Sequence, residues 1–474
     1  LRRDGTTKFG DARRWGNCPA LSFRWNASDE PFIKEKLPWL SMLSVRPGWG
    51  MVGNQPGGEY LYFSKYASGQ SYNGSSSMTP QNIRLSSLKW EQQMTWNIGF
   101  DFGILNNKVT ADVNLYTKRI SDLFMGGIIP TSSGYSSLGQ QNTGNMVNNG
   151  WEFNVNTRDL IKIGKVGIDV NVTFANNINK ITKMDPLTLS TYNREWSKAN
   201  GDYLTRIQLH NAFGSIYGFR YKGVYQYSTY SDVEVPGKSG PNAPVARDAN
   251  GNVIKDKDGY TTPMVYCYDS DNKKALYKFQ GGDAIYEDVN HDGNINELDI
   301  VYLGNCLPKV TGGWGFKVQY GRWTWNNQFN FRFGFKLVNG ARINAENMAT
   351  NKNQSAAVNW RWRVEGDIAQ IPRAYHNGDG FETSYNYLAS DRFIEDGSFM
   401  RLNYSQISYS LDPKIIKPWG LSQLSLYVSA NNLFCITKYS GADPEVGYGG
   451  TGIARDDAQT PRSRSVTLGV TVQF

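Results

Sequence analysis

The sequence predicts an all-β fold, a transmembrane antiparallel β-barrel, and three observations carry that reading. First, the chain closes on a strict alternation. Val466, Leu468, Val470, Val472 and Phe474 share one face, and Ser465, Thr467, Gly469, Thr471 and Gln473 share the other, the two-residue period of a strand with one oily and one polar side. Its length matches the ~9–11 residues that a tilted strand needs to cross a bilayer. Second, the pattern recurs. Trp323, Trp325, Phe329, Phe331, Phe333 and Phe335 oppose Thr324, Asn326, Gln328, Asn330, Arg332 and Gly334. Likewise Val109, Ala111, Val113 and Leu115 oppose Thr110, Asp112, Asn114 and Tyr116, and Val166 to Phe174 repeats the pattern against Gly167, Asp169, Asn171 and Thr173. A sandwich would need a second sheet over each oily face, whereas a barrel wall needs only lipid outside and water inside.

Third, the composition suits such a wall. The 474 residues are 39% hydrophobic and 14% aromatic, with 49 glycines, and no run approaches the length of a spanning helix. Mean hydropathy is −0.51, which excludes a helical membrane bundle. The net charge of +8 arises from 50 basic and 42 acidic residues spread along the chain, without a basic cluster or nucleic-acid signature, so nucleic-acid binding is excluded.

Taken in order, short and long connections alternate. The chain opens at Leu1-Arg2-Arg3-Asp4-Gly5 as though entering mid-strand, and is read as the later part of a longer chain. A return through Gly5 to Asn17 leads to a strand with Leu21, Phe23 and Trp25 outward; Ser28 to Pro38 holds at most one helical turn before the strand around Met42 to Val52. A Gly, Tyr and Ser-rich loop spans Gly53 to Leu88, and a strand with Trp96, Ile98, Phe100 and Phe102 on one face follows. Ile104 to Lys108 is a tight hairpin turn. The strand from Val109 to Lys118 then enters a loop up to about Val147, and Trp151, Phe153 and Val155 mark the next strand.

Residues 175–308 are too long and too polar for wall and are expected to form a large extracellular region. Trp314 to Tyr320 turns at Gly321-Arg322 into the aromatic strand, a second long loop covers Asn339 to Gly397, and strands from Phe399 to Leu411 and Leu421 to Asn432 precede the last loop and the closing strand. The expectation is about twelve strands, short turns toward the periplasm and long loops outside.

Three stretches then carry a resemblance. Ser390-Asp391-Arg392-Phe393-Ile394-Glu395-Asp396-Gly397-Ser398-Phe399-Met400-Arg401-Leu402, Tyr427-Val428-Ser429-Ala430-Asn431-Asn432-Leu433-Phe434 and Lys438-Tyr439-Ser440-Gly441-Ala442-Asp443-Pro444-Glu445-Val446 resemble the C-terminal signatures of SusC/RagA-type TonB-dependent transporters of Bacteroidetes. Arg2 to Gly5 with Arg14 to Asn17, Leu88 to Glu91, and Gly281-Gly282-Asp283 through Gly304 agree in order. The resemblance implies a 22-stranded barrel, of which residues 1–474 would form the later part, in the bacterial outer membrane as a multi-pass protein. It implies energised uptake of oligosaccharides or oligopeptides through a TonB complex, a SusD/RagB-like surface lipoprotein as partner, and a dimer of transporter-lipoprotein pairs. The family's plug domain and TonB box have no counterpart in this sequence. The alternatives are a passive porin, a surface adhesin on a barrel scaffold, or a soluble secreted β-protein that binds glycans.

Enzyme readings fare poorly. Gly447-Tyr448-Gly449-Gly450-Thr451-Gly452 matches GxGxxG, but no βαβ unit surrounds it and Pro461 follows where the helix would run. There is no Walker A, HExxH or GxSxG motif, and His210, His291 and His376 all fall in loops. Cys18, Cys267, Cys306 and Cys435 lack CxxC spacing, so no zinc or thioredoxin-like pair is indicated, and their three possible pairings stay open.

Two candidate sites remain. Tyr60, Tyr62, Tyr66 and Tyr72, with Tyr217 and Tyr221, lie in Tyr-rich loops able to stack on sugar rings or bond peptide amides, against the plainer reading of loops packed on one another. Asp288, Asn290 and Asp292 occupy positions 1, 3 and 5 of an EF-hand-type calcium loop, with Gly293 at 6, Asn294 at 7, Asn296 at 9 and Asp299 at 12. With no flanking helix pair, a lone structural Ca²⁺ site is expected, against the alternative of a metal-free Asn and Asp-rich turn.

Overall fold

The computed structural model of the chain describes residues 1–80, 82–127, 135, 138–192, 202–204, 207–226, 244–269, 274–349, 352–375, 385–447 and 453–474. A long antiparallel sheet organises it. Its strands, from one edge to the other, are Ala20–Ser22, Leu40–Asn54, Glu91–Ile104, Val109–Gly127, Leu138–Thr157, Val166–Met184, Val310–Tyr320, Trp323–Phe333, Phe399–Ser410, Gln423–Asn431 and Ser465–Gln473. Each pairs with its neighbour in sequence, so the wall is a meander, and among the described residues it is open at both edges.

Local chemistry sets the turns. Leu105, Asn106 and Asn107 all take left-handed backbone angles, φ +55 to +58, and Lys108 N–H closes the turn on the Leu105 carbonyl at 3.2 Å. Two asparagines supply much of that conformation because they tolerate positive φ better than most side chains. Gly321, φ +58, does the same between Tyr320 and Trp323. The segment after Asn26 carries a helical turn, Pro31–Lys36, with proline at its start.

The two faces differ as the alternation requires. Leu468 is 78% exposed and Trp323 51%, and no second sheet lies over them among the described residues. On the opposite face polar groups satisfy one another: Asp101 accepts from Ser44 at 2.7 Å and Arg46 at 2.6 and 2.9 Å, Asn154 donates to Asp112 at 3.2 Å, and Asn171 to Gln328 at 3.4 Å. An oily face without protein cover and an internally bonded polar face are what lipid on one side and water on the other demand.

Several boundaries differ from the sequence reading. The expected twelfth strand is a short separate ladder, Arg2–Gly5 against Trp15–Cys18, and Pro19, which has no N–H to give, stands between it and the wall strand Ala20–Ser22. Strands 109–127, 138–157 and 166–184 run far beyond the alternating segments, so Ala175 to Met184 is wall and not excursion. Above the bilayer both faces meet water, and the oily period that marks a strand fades there although the hydrogen-bond ladder continues. Phe335 leaves the aromatic face: the strand ends at Phe333, Gly334 turns at φ +76, and Phe335 is 4% exposed in a loop core. Asn327 sits in register with Trp325 and Phe329, buried, its side-chain carbonyl accepting the Ser405 hydroxyl at 2.8 Å.

All long connections leave from the same end of the wall. Residues 185–309 form small ladders of their own, Ser215–Gly218 with Val301–Asn305 and Tyr221–Val224 with Ala284–Tyr286, while Val265–Asp269 joins Lys274–Lys278 and Asn294–Ile295. Their core holds Phe219, Tyr266, Phe279, Tyr286 and Ile295, with Tyr385 and Leu388 contributed by the next long loop.

Candidate functional site

The outer loop assembly is fixed to the wall by buried ion pairs, and the sequence signatures supply them. Wall residue Arg401, 5% exposed, donates to Asp443 at 2.6 Å and lies 3.6 Å from Glu445, which also pairs with Arg462 at 2.9 Å and with wall residue Arg332 at 3.5 Å. A second group lies nearby. Glu346 binds Arg392 at 2.6 Å and Arg342 at 2.7 Å; Glu395 accepts from Arg342 at 3.3 Å, Asn339 at 3.1 Å, and both the amide and hydroxyl of Ser440 at 2.8 Å. Burial alone would raise the Glu395 carboxyl, but those donors outweigh it and hold the pKa below its ordinary value.

A third group lies inside the excursion. Asp283, fully buried, accepts from Arg373 at 2.7 Å, Tyr277 at 2.6 Å, Gln280 N–H at 2.8 Å and Asn386 at 3.3 Å. Burial and the adjacent carboxylate raise the Tyr277 hydroxyl, so it stays protonated and donates.

The stretches 390–402 and 438–446 therefore act on each other. Glu395 meets Ser440, Arg401 meets Asp443 and Glu445, and Gly397 leaves room for the Phe335 ring, which a Cβ there would strike. Their chemistry is that of an anchor. The carboxylates and hydroxyls are occupied by arginines and amides, and no activated nucleophile emerges from the described pairs.

The six candidate tyrosines fall in two places. Tyr60 and Tyr66 are 57% and 60% exposed on the loop that follows Asn54, and Tyr62 packs on Phe63 with ring centres 4.1 Å apart; the side chain of Tyr72 lies outside the described residues. Tyr217 is 3% exposed, its hydroxyl donating to Gln208 at 3.0 Å and its ring edge-on to Tyr302, which makes it packing inside the excursion. Tyr221 is half-buried, donates to the Gln370 carbonyl at 2.9 Å, and has Arg392 5.3 Å from its ring centre.

The Asp and Asn-rich loop is ordered by its own side chains. Asp288 accepts from Asp292 N–H at 3.2 Å and Gly293 N–H at 2.7 Å, Asp292 accepts from Asn294 N–H at 2.8 Å, and Gly293 takes φ +81. Asn290 donates its side-chain amide to Asp292 at 2.8 Å, and the Asn296 side chain caps Leu298 N–H at 2.7 Å. Asp299, fully buried, closes the loop by accepting from Val289 N–H at 2.8 Å and Asn296 N–H at 2.9 Å. Burial, with Asp288 and Asp292 nearby, pushes its pKa up to about 6 against those two amides. Among the described residues no three His, Cys, Asp or Glu side chains gather as a metal cluster.

Cys18, Cys306 and Cys435 are free thiols, whereas the side chain of Cys267, His376, and residues 448–452 of the glycine-rich motif lie outside the described residues. His210 and His291 both occupy left-handed turn positions, φ +69 and +57.

Residues 1–265, more than half of the chain, match the family described as TonB dependent receptor-like, beta-barrel. The chain belongs to that family. It is 28% identical over its full length to TonB-dependent receptor P39 of Formosa agariphila and 27% identical to TonB-dependent receptor SusC of Bacteroides thetaiotaomicron, covering 44% and 42% of them. Its fold matches a structure of the RagAB peptide importer in the closed-closed state at TM-score 0.73 and 21% identity, covering all of this chain and 45% of that one. The open-open state of RagAB matches at TM-score 0.71. The chain thus spans less than half the length of these relatives, and it is a receptor barrel wall, not an enzyme.

Proposed function

We propose that this chain supplies wall and outer loops to a TonB-energised importer of oligomeric nutrients in the bacterial outer membrane. The observation that carries the reading is the asymmetry of the wall. Its oily face has no protein cover, its polar face is internally bonded, and folded, ion-paired loops stand at one end only. Oligosaccharides and oligopeptides are the substrate classes, in keeping with the exposed Tyr60 and Tyr66. A SusD-like lipoprotein is the proposed partner. Trp360, Val364 and Ile368, spaced by four and 80%, 61% and 102% exposed on an outer loop, offer it an apolar contact.

Uptake of labelled oligomers by cells carrying the full-length protein tests this. Uptake that survives loss of TonB, or that is confined to monomeric solutes, would favour the passive porin.

A second reading concerns residues 288–299: calcium binds there as a structural ion. Asp288 and Asp292, close enough to the buried Asp299 to raise its proton affinity, favour it, because a divalent cation removes that repulsion and each carboxylate oxygen bonded to an amide keeps another lone pair. Metal analysis of the purified protein, with Asp288→Ala/Asp292→Ala as comparison, decides it; unchanged calcium content would remove the site.

A further inference from the structure

The five short connections of the wall, residues 27–39, 105–108, 158–165, 321–322 and 411–422, lie at the end opposite the folded loops and share a composition. Each presents cations beside exposed apolar side chains. Lys34 and Lys36 accompany Phe32 and Trp39, 54% and 58% exposed; Lys108 follows Leu105, 54% exposed. Arg158 and Lys165 flank Ile163, 68% exposed, and Lys414 and Lys417 flank Ile415, with Trp419 61% exposed. Arg322 sits between Tyr320 and Trp323, 56% and 51% exposed.

The arginines that hold the loop assembly together are paired, whereas most cations of the turns are not. At the loop end arginines are paired with carboxylates, as Arg401, Arg392 and Arg373 show. At the turn end only Lys162 with Asp159, at 3.5 Å, and Arg322 with Asp412 form ion pairs among the described residues. Lys34, Lys36, Lys108, Arg158, Lys165, Lys414 and Lys417 have no carboxylate within pairing distance there. The carboxylates of these turns, Asp29, Glu30, Glu35, Asp159 and Asp412, are fewer than the cations.

We propose that this rim binds the headgroups of anionic phospholipids in the leaflet on the turn side. The reading rests on the chain being a membrane-spanning wall. Indole and phenol rings settle at headgroup depth, and long lysine side chains keep their stems in the oily layer and their ammonium groups at the phosphates. Unpaired cations spread around a rim then meet a negative surface that attracts each of them. Neutral lipids offer the same apolar contacts without that attraction, so the rim distinguishes lipids by charge.

The test uses the full-length protein in nanodiscs of phosphatidylcholine doped with phosphatidylglycerol, counting the phosphatidylglycerol retained after detergent exchange. Lys34→Gln/Lys36→Gln/Lys414→Gln/Lys417→Gln retains roughly threefold to tenfold less than the parent, and half-molar salt lowers the parent's retention in the same direction. A loop-end control, Lys255→Gln/Lys257→Gln/Lys278→Gln/Lys352→Gln, retains as much as the parent. Heat-modifiable gel mobility verifies that each variant forms its barrel. Equal retention in the rim variant and the parent, or equal loss in both variants, would overturn the proposal. A full-length protein that is monodisperse without detergent would overturn the membrane reading itself, a result the lipid count cannot produce.

Discussion

The wall and the loop assembly use the same large apolar residues and leave them in opposite places. In the closing strand Val466, Leu468 and Val470 are 68%, 78% and 58% exposed, while in the excursion Tyr266, Phe279 and Ile295 are completely buried. The loops make their own core, and the wall is left to find one in the bilayer. Stability therefore has two sources, protein packing above the membrane and lipid at its height, and the Arg401 group joins them.

Breaking that junction has the largest expected effect. Arg401→Ala leaves Asp443 and Glu445 facing each other half-satisfied at a buried site, a loss of about 3–5 kcal/mol, read as faster proteolysis of residues 438–464. Heat-modifiable mobility of the wall stays as it was; if wall and loops melt together, the two regions are one unit. Leu468→Arg attacks the other source. A cation on the lipid face near mid-membrane costs about 2–4 kcal/mol, seen as reduced membrane insertion with loop protection intact, while Leu468→Gln at the same place costs less.

The loop from Asp288 to Asp299 sharpens the contrast, because its closing group titrates. The Asp299 carboxyl, raised to about 6, makes the metal-free loop most stable below the ordinary carboxylate range and weakens it as pH rises through 6, by about 2–3 kcal/mol. Added calcium is expected to reverse that loss at pH 7.5 and to matter little at pH 5, followed by proteolysis between Asp288 and Asp299. Asp299→Asn, with no charge to lose, removes the pH dependence. The smallest effect on stability is at the loop surface: Trp360→Ser changes it by about 0.5 kcal/mol or less, yet is expected to weaken co-purification of a lipoprotein partner.

The wall was legible because its period is written in side chains: where one face meets lipid, every second residue must be oily, and Ser465 to Phe474 states this outright. Strand ends were not. Asn176 to Met184 and Leu138 to Val147 continue the ladder in water, where hydrogen bonds need no hydrophobic alternation. The anchor was visible only as a resemblance. Arg401 is separated from Asp443 and Glu445 by 42 or more positions, and nothing in either stretch alone says that they meet. Tyr217 illustrates the converse, since its composition suited a ligand but Gln208 and Tyr302 hold it inside the loop. The spacing of Asp288 to Asp299 belongs to a Gly-turned loop closed by its own side chains, while affinity for an ion is a property that spacing does not set.

The meander order of the wall also dictates a timetable for its formation. Strands joined by the short turns meet across a handful of residues, so these hairpins close early and locally. The waits are set by two gaps, Met184 to Val310 and Phe333 to Phe399, across which the next hairpin must be fetched from a distant part of the chain. The first gap is roughly twice the second, which adds only about 0.6 kcal/mol to the entropy of closing it. A long insertion between two strands thus delays the wall little more than a moderate one, so the loops of such a barrel can lengthen while its strands keep their order.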